Sequence, residues 1–322
     1  MTDAARWPGP LLCLLAILVL AALPPVLAPF QLRVGQLMFY SAGLGLAWNI
    51  LGGSAGYRSF GHAAFIGIGA FSAGLLQAQM PEMAPLLRFA AGLAGGALTC
   101  VAVAALLAYP ILRLRGTFFA IAMLGVSHVA GELNTNLDVL QGAMGLMFAE
   151  IVPEAWDPQL FYYEVYLAAA SAVLLITWLM RRSRFGYGLL GIREDEDTAR
   201  MLGVPTERYK TAAFVLSAAL TGILGAIYAQ SLGFVTTASL YRDDTNLSLI
   251  VFALLGGIGT LLGPVIGAFL IVLLTHVVLS DFPNVHMFAM GLILVVLVLV
   301  APDGLIGLGR RLWRCMPRRQ AP

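Results

Sequence analysis

The residues able to do chemistry are few and unevenly placed. The chain has a single lysine, Lys210, and four histidines, His62, His128, His276 and His286. A phosphate-binding loop of the form G-x-x-x-x-G-K-[ST] cradles phosphate on backbone N–H groups. Lys210 sits between Tyr209 and Thr211 with no glycine run before it, so no such loop is present. The histidines lack the spacing of a metal-ligand set, and Cys13, Cys100 and Cys315 are far apart with no C-x-x-C pair. No nucleophile–base pair emerges. The charges gather instead in one stretch, Arg181–Lys210, with seven basic residues and five acidic ones, Glu194, Asp195, Glu196, Asp197 and Glu207. Each charge at the centre of a bilayer costs about 2.5–3.5 kcal/mol, so the dozen together place this stretch in water.

Most of the chain outside that stretch is apolar. Of 322 residues, 60% are hydrophobic and 11% charged, and the mean hydropathy is +0.87. A soluble domain is about half apolar and about a quarter charged. Lipid is the natural solvent for such a chain, and long unbroken apolar runs select α-helices over a barrel. The runs are Leu11–Ala28, Gln36–Gly53, Phe60–Gln79, Leu86–Tyr109, Thr117–Leu133, Phe161–Met180, Thr211–Ser231, Thr245–Ile258, Leu262–Ser280 and His286–Ala301. The expected fold is an all-α integral membrane protein of about 8–10 transmembrane helices, some broken by glycine and proline. Arg6 before the first run fits a secretory signal, but Pro24, Pro25 and Pro29 crowd the place of cleavage, and the run is read as a retained helix.

Charge distribution orients the map. With the N-terminus inside and one crossing per run, sixteen basic residues fall inside, and Arg33, Arg88 and Arg242 fall outside, as the positive-inside rule requires. Merging Thr245–Ser280 into one crossing would put five tail arginines outside, so two short crossings are expected there. Both termini are then cytoplasmic. Residues 1–309 form one transmembrane domain with the loop 181–210 inside it, and 310–322 form a basic tail.

The loop has helix grammar. Leu189, Ile192, Ala199 and Leu202 fall near one face. The acids from Glu194 to Asp197 suit a helix N-terminal half, Glu196 and Arg200 make an i,i+4 pair, and Gly203 before Pro205 is a stop. Thr206 reads as the N-cap of the next span. A short amphipathic helix is expected, either a solvated connector or a docking element whose Ala199, Leu202 and Gly203 fit a groove on a partner.

Within the spans, glycine gathers at Gly61, Gly67, Gly69 and Gly74, and again at Gly256, Gly257, Gly259, Gly263 and Gly267. Gly259, Gly263 and Gly267 are four apart and are expected to line one helix face for close packing, with Pro264 disturbing the helix. Broken segments in both halves of a transporter mark where substrate passes, and helix packing is the alternative for each glycine. His62 is an ionisable residue at the start of a span, functional or satisfying backbone groups. His128 and Glu132, one turn apart, are expected to pair.

Four blocks in order carry a family resemblance: GYRSFGHAAFIGIGAF (Gly56–Phe71), LRLRGTFFAIAMLG (Leu112–Gly125), SRFGYGLLGIREDEDTARMLGVPTERYKTAAFVLSAALTGILGAIYA (Ser183–Ala229) and LLGGIGTLLGPVIGAFLIVLL (Leu254–Leu274). From about Gly35 to Gly307 the chain resembles permeases of the branched-chain amino acid ABC importers, of the LivM type. The resemblance implies one half of a pore in a bacterial inner membrane, completed by a second, related permease. It also implies two cytoplasmic ATPase chains that carry the ATP and magnesium, a periplasmic substrate-binding protein, and no nucleic-acid partner, cofactor or catalytic residue in this chain. The coupling helix would comprise Arg193, Glu194, Asp195, Glu196, Ala199, Leu202 and Gly203. The pathway candidates are Gly61, His62, Phe65, Gly116, Thr117, Phe118, Gly256, Gly257 and Gly259. Two departures stand out. Where the importer loop motif has Glu-Ala-Ala before its glycine, this chain has Glu196-Asp197-Thr198-Ala199. Arg58 stands where an uncharged residue is the rule.

Three functions compete. An importer permease fits a docking helix, no nucleotide site and no carboxylate in mid-span. An ion-coupled secondary transporter needs buried carboxylates or an unwound ion site, and no Asp or Glu falls mid-span in this map. A membrane-embedded enzyme lacks its catalytic groups. The expected cargo is a branched-chain or related hydrophobic amino acid, with urea or a short amide as the alternative.

Overall fold

The computed structural model describes residues 10–137, 144–153, 156–278, 291–292, 304–305 and 307. The run His286–Ala301 and the tail 310–322 lie outside the described residues, apart from 291 and 292.

Proline sets several helix starts. It occupies the first turn of α2 (Pro29–Asn49), α4 (Pro85–Ile111) and α6 (Pro158–Arg182), where its missing N–H has no intrahelical partner to lose. Before α2 come α1 (Pro10–Ala22) and a 3-10 turn at Pro24–Val26. α2 ends in a π turn, Ile50–Ser54, and α3 (His62–Ala78) and α5 (Thr117–Asn136) flank α4 in sequence. By length and composition, α4, α6 and α9 (Thr206–Leu232) are each able to cross a membrane, and shorter apolar helices accompany them. The architecture is all-α. The strand pair β1 (Leu146–Met147) and β2 (Phe234–Val235) is an antiparallel clip joining two loops, with Leu146 opposite Val235.

α2 is the central post. From Phe39 to Asn49 every residue is buried, with Trp48 among the largest enclosed side chains. It packs against α6 and α9 and against the pair α11 (Asp243–Gly256) and α12 (Gly263–Leu273). On its far side α9 joins α3 and α4. Glycines let these three helices meet backbone to backbone: a Cβ on Gly69 would strike Gly222, one on Gly96 the Gly69 carbonyl, and one on Gly225 the Ile66 carbonyl. This is small-residue packing of the membrane kind.

The bundle has two ends. One holds the α2–α3 and α4–α5 connections, the stretch Arg181–Lys210 and the α11–α12 turn, since Lys210 Nζ reaches the Leu112 carbonyl at 3.2 Å and Arg193 Nη1 the Gly53 carbonyl at 2.9 Å. The other holds the β clip and the entries of α2, α4 and α6, since Gln36 Nε2 bonds the Gln159 carbonyl at 2.8 Å and Arg88 Nη2 the Glu150 carbonyl at 3.2 Å. α11 and α12 are two short helices packed against each other around the turn that joins them.

Several expectations change. Gly259 is not on a helix face with Gly263 and Gly267. It sits in the turn with φ +74°, a conformation glycine adopts freely, and its N–H donates to Asn49 Oδ1 at 3.0 Å. Gly263 and Gly267 do serve close packing: their backbones lie against Gly256 and Phe252 of α11. His128 faces Asp243, with Nε2 to Oδ1 at 3.6 Å, while the Glu132 carboxylate lies against Asn136. This also corrects the absence of a mid-span carboxylate. α10 (Thr237–Leu240) folds the chain back after β2, so α11 begins only at Asp243, level with the middle of α5.

Candidate functional site

The predicted helix in Arg181–Lys210 is two helices. α7 (Arg184–Glu194) is capped by Ser183 Oγ, which accepts from Gly186 N–H, and α8 (Glu196–Met201) is capped by Asp195, which accepts from Thr198 N–H. Asp195 is the break, because its side chain satisfies the first turn of α8 only from an extended backbone, φ −159°. The helix stop at Gly203 stands as expected: with φ +85° it closes a Schellman turn, Val204 N–H bonding the Ala199 carbonyl at 3.0 Å. Thr206 is the first residue of α9 rather than its cap; its hydroxyl instead accepts from Arg200.

The split redistributes the expected face. Leu189 and Ile192 are buried under α7, and Ala199 is 3% exposed, packed within its own chain. Ala199 therefore cannot enter a partner's groove. Leu202 projects the other way with Met201, at 80% and 86% exposed. The free surface of the handle is thus an apolar tip, Met201-Leu202-Gly203, on a short and well-anchored stem.

The anchor is ionic. Lys210 Nζ lies 2.7 Å from Glu196 Oε1, 3.2 Å from the Leu112 carbonyl, 3.3 Å from Tyr57 Oη and 3.3 Å from Glu207 Oε1. Tyr57 donates its hydroxyl to Glu196 Oε2 at 2.7 Å. Arg115 forks onto Asp197 at 3.0 and 3.1 Å and lies 3.6 Å from Glu196. The expected Glu196–Arg200 pair forms at 3.4 Å. Burial pushes the Glu196 carboxyl upward, but the hydrogen bonds from Lys210 and Tyr57 and the charges of Lys210 and Arg115 outweigh it and hold it below the usual range. The Arg115 fork lowers Asp197, and bonds from Thr198 lower Asp195. Burial, then Glu196, raises the Tyr57 phenol, so it stays a donor.

Two more arginines tie the handle to the broken helices. Arg193 donates to Gly53 in the π turn ending α2, and Arg181 donates to Gly259 in the α11–α12 turn. Asn49 closes the same knot, donating to the Thr260 carbonyl at 2.8 Å. Of the predicted coupling residues, Arg193 and Glu196 therefore serve as anchors, Asp195 caps α8, Glu194 ends α7 exposed, Ala199 packs inward, and Leu202 and Gly203 form the tip. Tyr57, Arg115, Asp197 and Lys210 were not predicted, because their partners lie far away in sequence.

Among the described residues the pathway candidates fall in three separate places. Gly61, His62 and Phe65 are enclosed. The His62 ring bonds Ser59 at 3.0 Å and Ser217 at 2.7 Å, joining α3 to α9, and a Cβ on Gly61 would strike the Met123 carbonyl of α5. Gly256 ends α11, and Gly257 and Gly259 belong to the α11–α12 turn. Gly116, Thr117 and Phe118 lie on the outside of the bundle, Phe118 at 74% exposed. The rest of that α5 face carries Ile121, His128, Val129, Glu132 and Leu133. At the opposite end a cavity of about 280 Å³ lies among Phe148, Glu150, Tyr162, Gln230 and Gly233, away from every predicted residue. Among the described residues no cluster of His, Cys, Asp or Glu could hold a metal ion.

Comparison with known proteins matches residues 36–301 to the family described as branched-chain amino acid transport system / permease component. The high-affinity branched-chain amino acid transport system permease protein LivM of Escherichia coli K12 is 29% identical over 93% of this chain and 75% of its own length. LivH of Salmonella typhimurium, with the same transport-system description, is 27% identical over 44% of this chain and 46% of its own. The autoinducer 2 import system permease protein LsrC of Salmonella paratyphi B is 31% identical over 30% of this chain and 29% of its own. No solved structure matches the chain. With the family match running from within the central post α2 through the whole anchored handle to beyond α12, the chain belongs to the branched-chain amino acid transport system permease components and is an integral membrane transport subunit.

Proposed function

We propose that the chain is one permease of an ATP-driven importer in a bacterial inner membrane, moving a branched-chain or related apolar amino acid by alternating access. The observation that carries this is the handle. An exposed apolar tip, Met201 and Leu202, stands on a stem tied by charged hydrogen bonds to the connections at its end of the bundle. A loop serving only to join two spans needs no such anchoring, and an exposed apolar pair in water calls for a partner surface. That partner is a cytoplasmic ATPase, one of two, which holds ATP and magnesium. A second permease covers the exposed face of α5, where His128, Glu132 and Asp243 would otherwise meet lipid. A periplasmic binding protein delivers the solute to the opposite end. Both termini are cytoplasmic, residues 1–309 form the permease domain and 310–322 a basic tail. Urea or a short amide is the alternative cargo.

The test is co-purification with the ATPase after Leu202→Glu. Loss of the ATPase, with the permease still in the membrane, supports the docking role. Intact association and uptake refute it.

The His128–Asp243 pair favours a second reading, an ion-coupled transporter. Uptake by this chain alone in vesicles, driven by a proton or sodium gradient without ATP, would establish it instead.

A further inference from the structure

The α4–α5 connection meets the handle through both an ion pair and a carbonyl. Arg115 forks onto Asp197 of α8, and Leu112 accepts from Lys210. The next residue after Arg115 is Gly116, with φ +57° and ψ −128°, a conformation essentially confined to glycine. A Cβ at Gly116 would meet nothing within 4 Å, so the glycine is there for its backbone and not for space. α5 follows at once. Its second contact with the handle runs through Phe119, whose ring stands edge-on to Tyr57 at 5.1 Å, and Tyr57 in turn bonds Glu196. One turn further along α5, the Met123 backbone rests on Gly61 at the start of α3. Beyond that contact α5 packs chiefly against α3 and leaves its other face open.

We propose that Arg115, acting across the Gly116 swivel, is the positioning residue that transmits movement of the α7–α8 handle to α5, with Gly61–Met123 as its fulcrum. This rests on the importer reading above. A shift of α8 carries Asp197 and Glu196 with it. The bidentate Arg115 fork follows as a unit, since two parallel bonds fix direction as well as distance. Gly116 allows the connection to turn without unwinding α5, and the mixed polar face of α5 tilts against the second permease. A plain surface ion pair is worth little; this one is bidentate and continuous with the enclosed Glu196–Lys210 pair, so it sits in a network and does not stand alone.

The experiment uses the full transporter in proteoliposomes, with solute uptake and ATP hydrolysis both read. Arg115→Gln and Asp197→Asn are expected to lower the solute moved per ATP by about fivefold or more, the lower end of coupling between distant sites, and Arg115→Lys to recover part of it. Gly116→Ala, which has room for its methyl, should give the same uncoupling through the backbone alone. Unchanged solute-to-ATP ratios in Arg115→Gln and Gly116→Ala overturn the proposal. A readout independent of any ATPase uses the chain purified by itself, with spin labels at Met201 and Phe118. Arg115→Gln should broaden their distance distribution, and an unaltered distribution counts against the tether. A wild-type transporter that shows no ATP-dependent uptake refutes the importer reading instead, and the label measurement still decides whether Arg115 ties the two elements.

Discussion

The ammonium of Lys210 and the carboxylate of Glu196 face each other at 2.7 Å, with side chains 2% and 8% exposed, and both are shared with Tyr57. Removing one member takes the shortest charge contact from the other, leaving Lys210 with Glu207 at 3.3 Å, or Glu196 with Arg200 at 3.4 Å and Arg115 at 3.6 Å. Lys210→Met or Glu196→Gln should therefore destabilise the handle end, by less than the roughly 3–5 kcal/mol of a buried charge left with no partner, seen as a lower thermal midpoint in detergent. The double variant should cost less than the sum, because neither charge then lacks its closest partner.

The same cluster sets an acid limit. The Glu196 and Asp197 carboxyls are held below their ordinary values, by the Lys210 and Tyr57 bonds against the opposing effect of burial, and by the Arg115 fork. A depressed carboxyl contributes stability that is complete above the unfolded pKa, about 4 for these residues, and is lost as pH falls through the lower folded value. The handle should thus hold from neutral pH to about pH 5 and loosen below about pH 4. A cysteine at the enclosed position Ala199 should become reactive to acid-tolerant thiol reagents over that range. Glu196→Gln should flatten the dependence.

Close helix contacts give a prediction of the opposite kind. Gly69, Gly222 and Gly225 lie where α3 and α9 touch backbone to backbone, and a methyl at any of them would strike a carbonyl, an α-carbon or the Cys100 thiol. Gly69→Ala and Gly225→Ala should each cost roughly 1–3 kcal/mol through forced separation of the helices. Gly125→Ala on the open side of α5 meets nothing and should be neutral. Yield of folded, monodisperse protein separates the two groups.

Much of the fold is legible in the sequence because lipid imposes it. Apolar runs mark α1 to α6, α9 and the α11–α12 pair, though α1 already ends at Ala22 and α2 and α9 start earlier than their runs, at Pro29 and Thr206. Irregularity is harder to read. A spacing of four says helix, yet Gly259 leaves the helix because the turn needs its positive φ and Arg181 needs its carbonyl. Asp195 reads as one more acid in a helical run, yet its side chain serves better as a cap and splits α7 from α8. The anchoring network was hidden for a different reason. Lys210 meets Leu112 across 98 residues and Tyr57 across 153, and no local periodicity encodes such contacts. That Lys210 is the only lysine, placed at the rim of a span, was the one available signal.

The handle's orientation is tested from outside the cell. Cysteine at Leu202, in a chain with Cys13, Cys100 and Cys315 replaced, should resist a membrane-impermeant maleimide in sealed cells and react once the membrane is opened. Reaction in sealed cells would reverse the orientation that the arginine distribution implies.

α5 and α4 both show apolar side chains on the outside of the bundle, but their surroundings should differ. On α4, Leu98 and Leu106 are exposed with apolar neighbours, as on a helix facing acyl chains. On α5, Ile121 and Val129 alternate with His128 and Glu132, and Asp243 lies against His128. A charged side chain at the bilayer centre costs about 2.5–3.5 kcal/mol against lipid on insertion scales, so a face carrying Glu132 and Asp243 calls for water and protein beside it. In the assembled transporter, single cysteines at Val129 and Glu132 should react with small hydrophilic thiol reagents, and added substrate should slow them. A cysteine at Leu106 should react only with lipid-soluble reagents, whatever the substrate. Equal behaviour of the two helices would remove α5 from the solute's route, since a face bathed in lipid cannot pass a zwitterion.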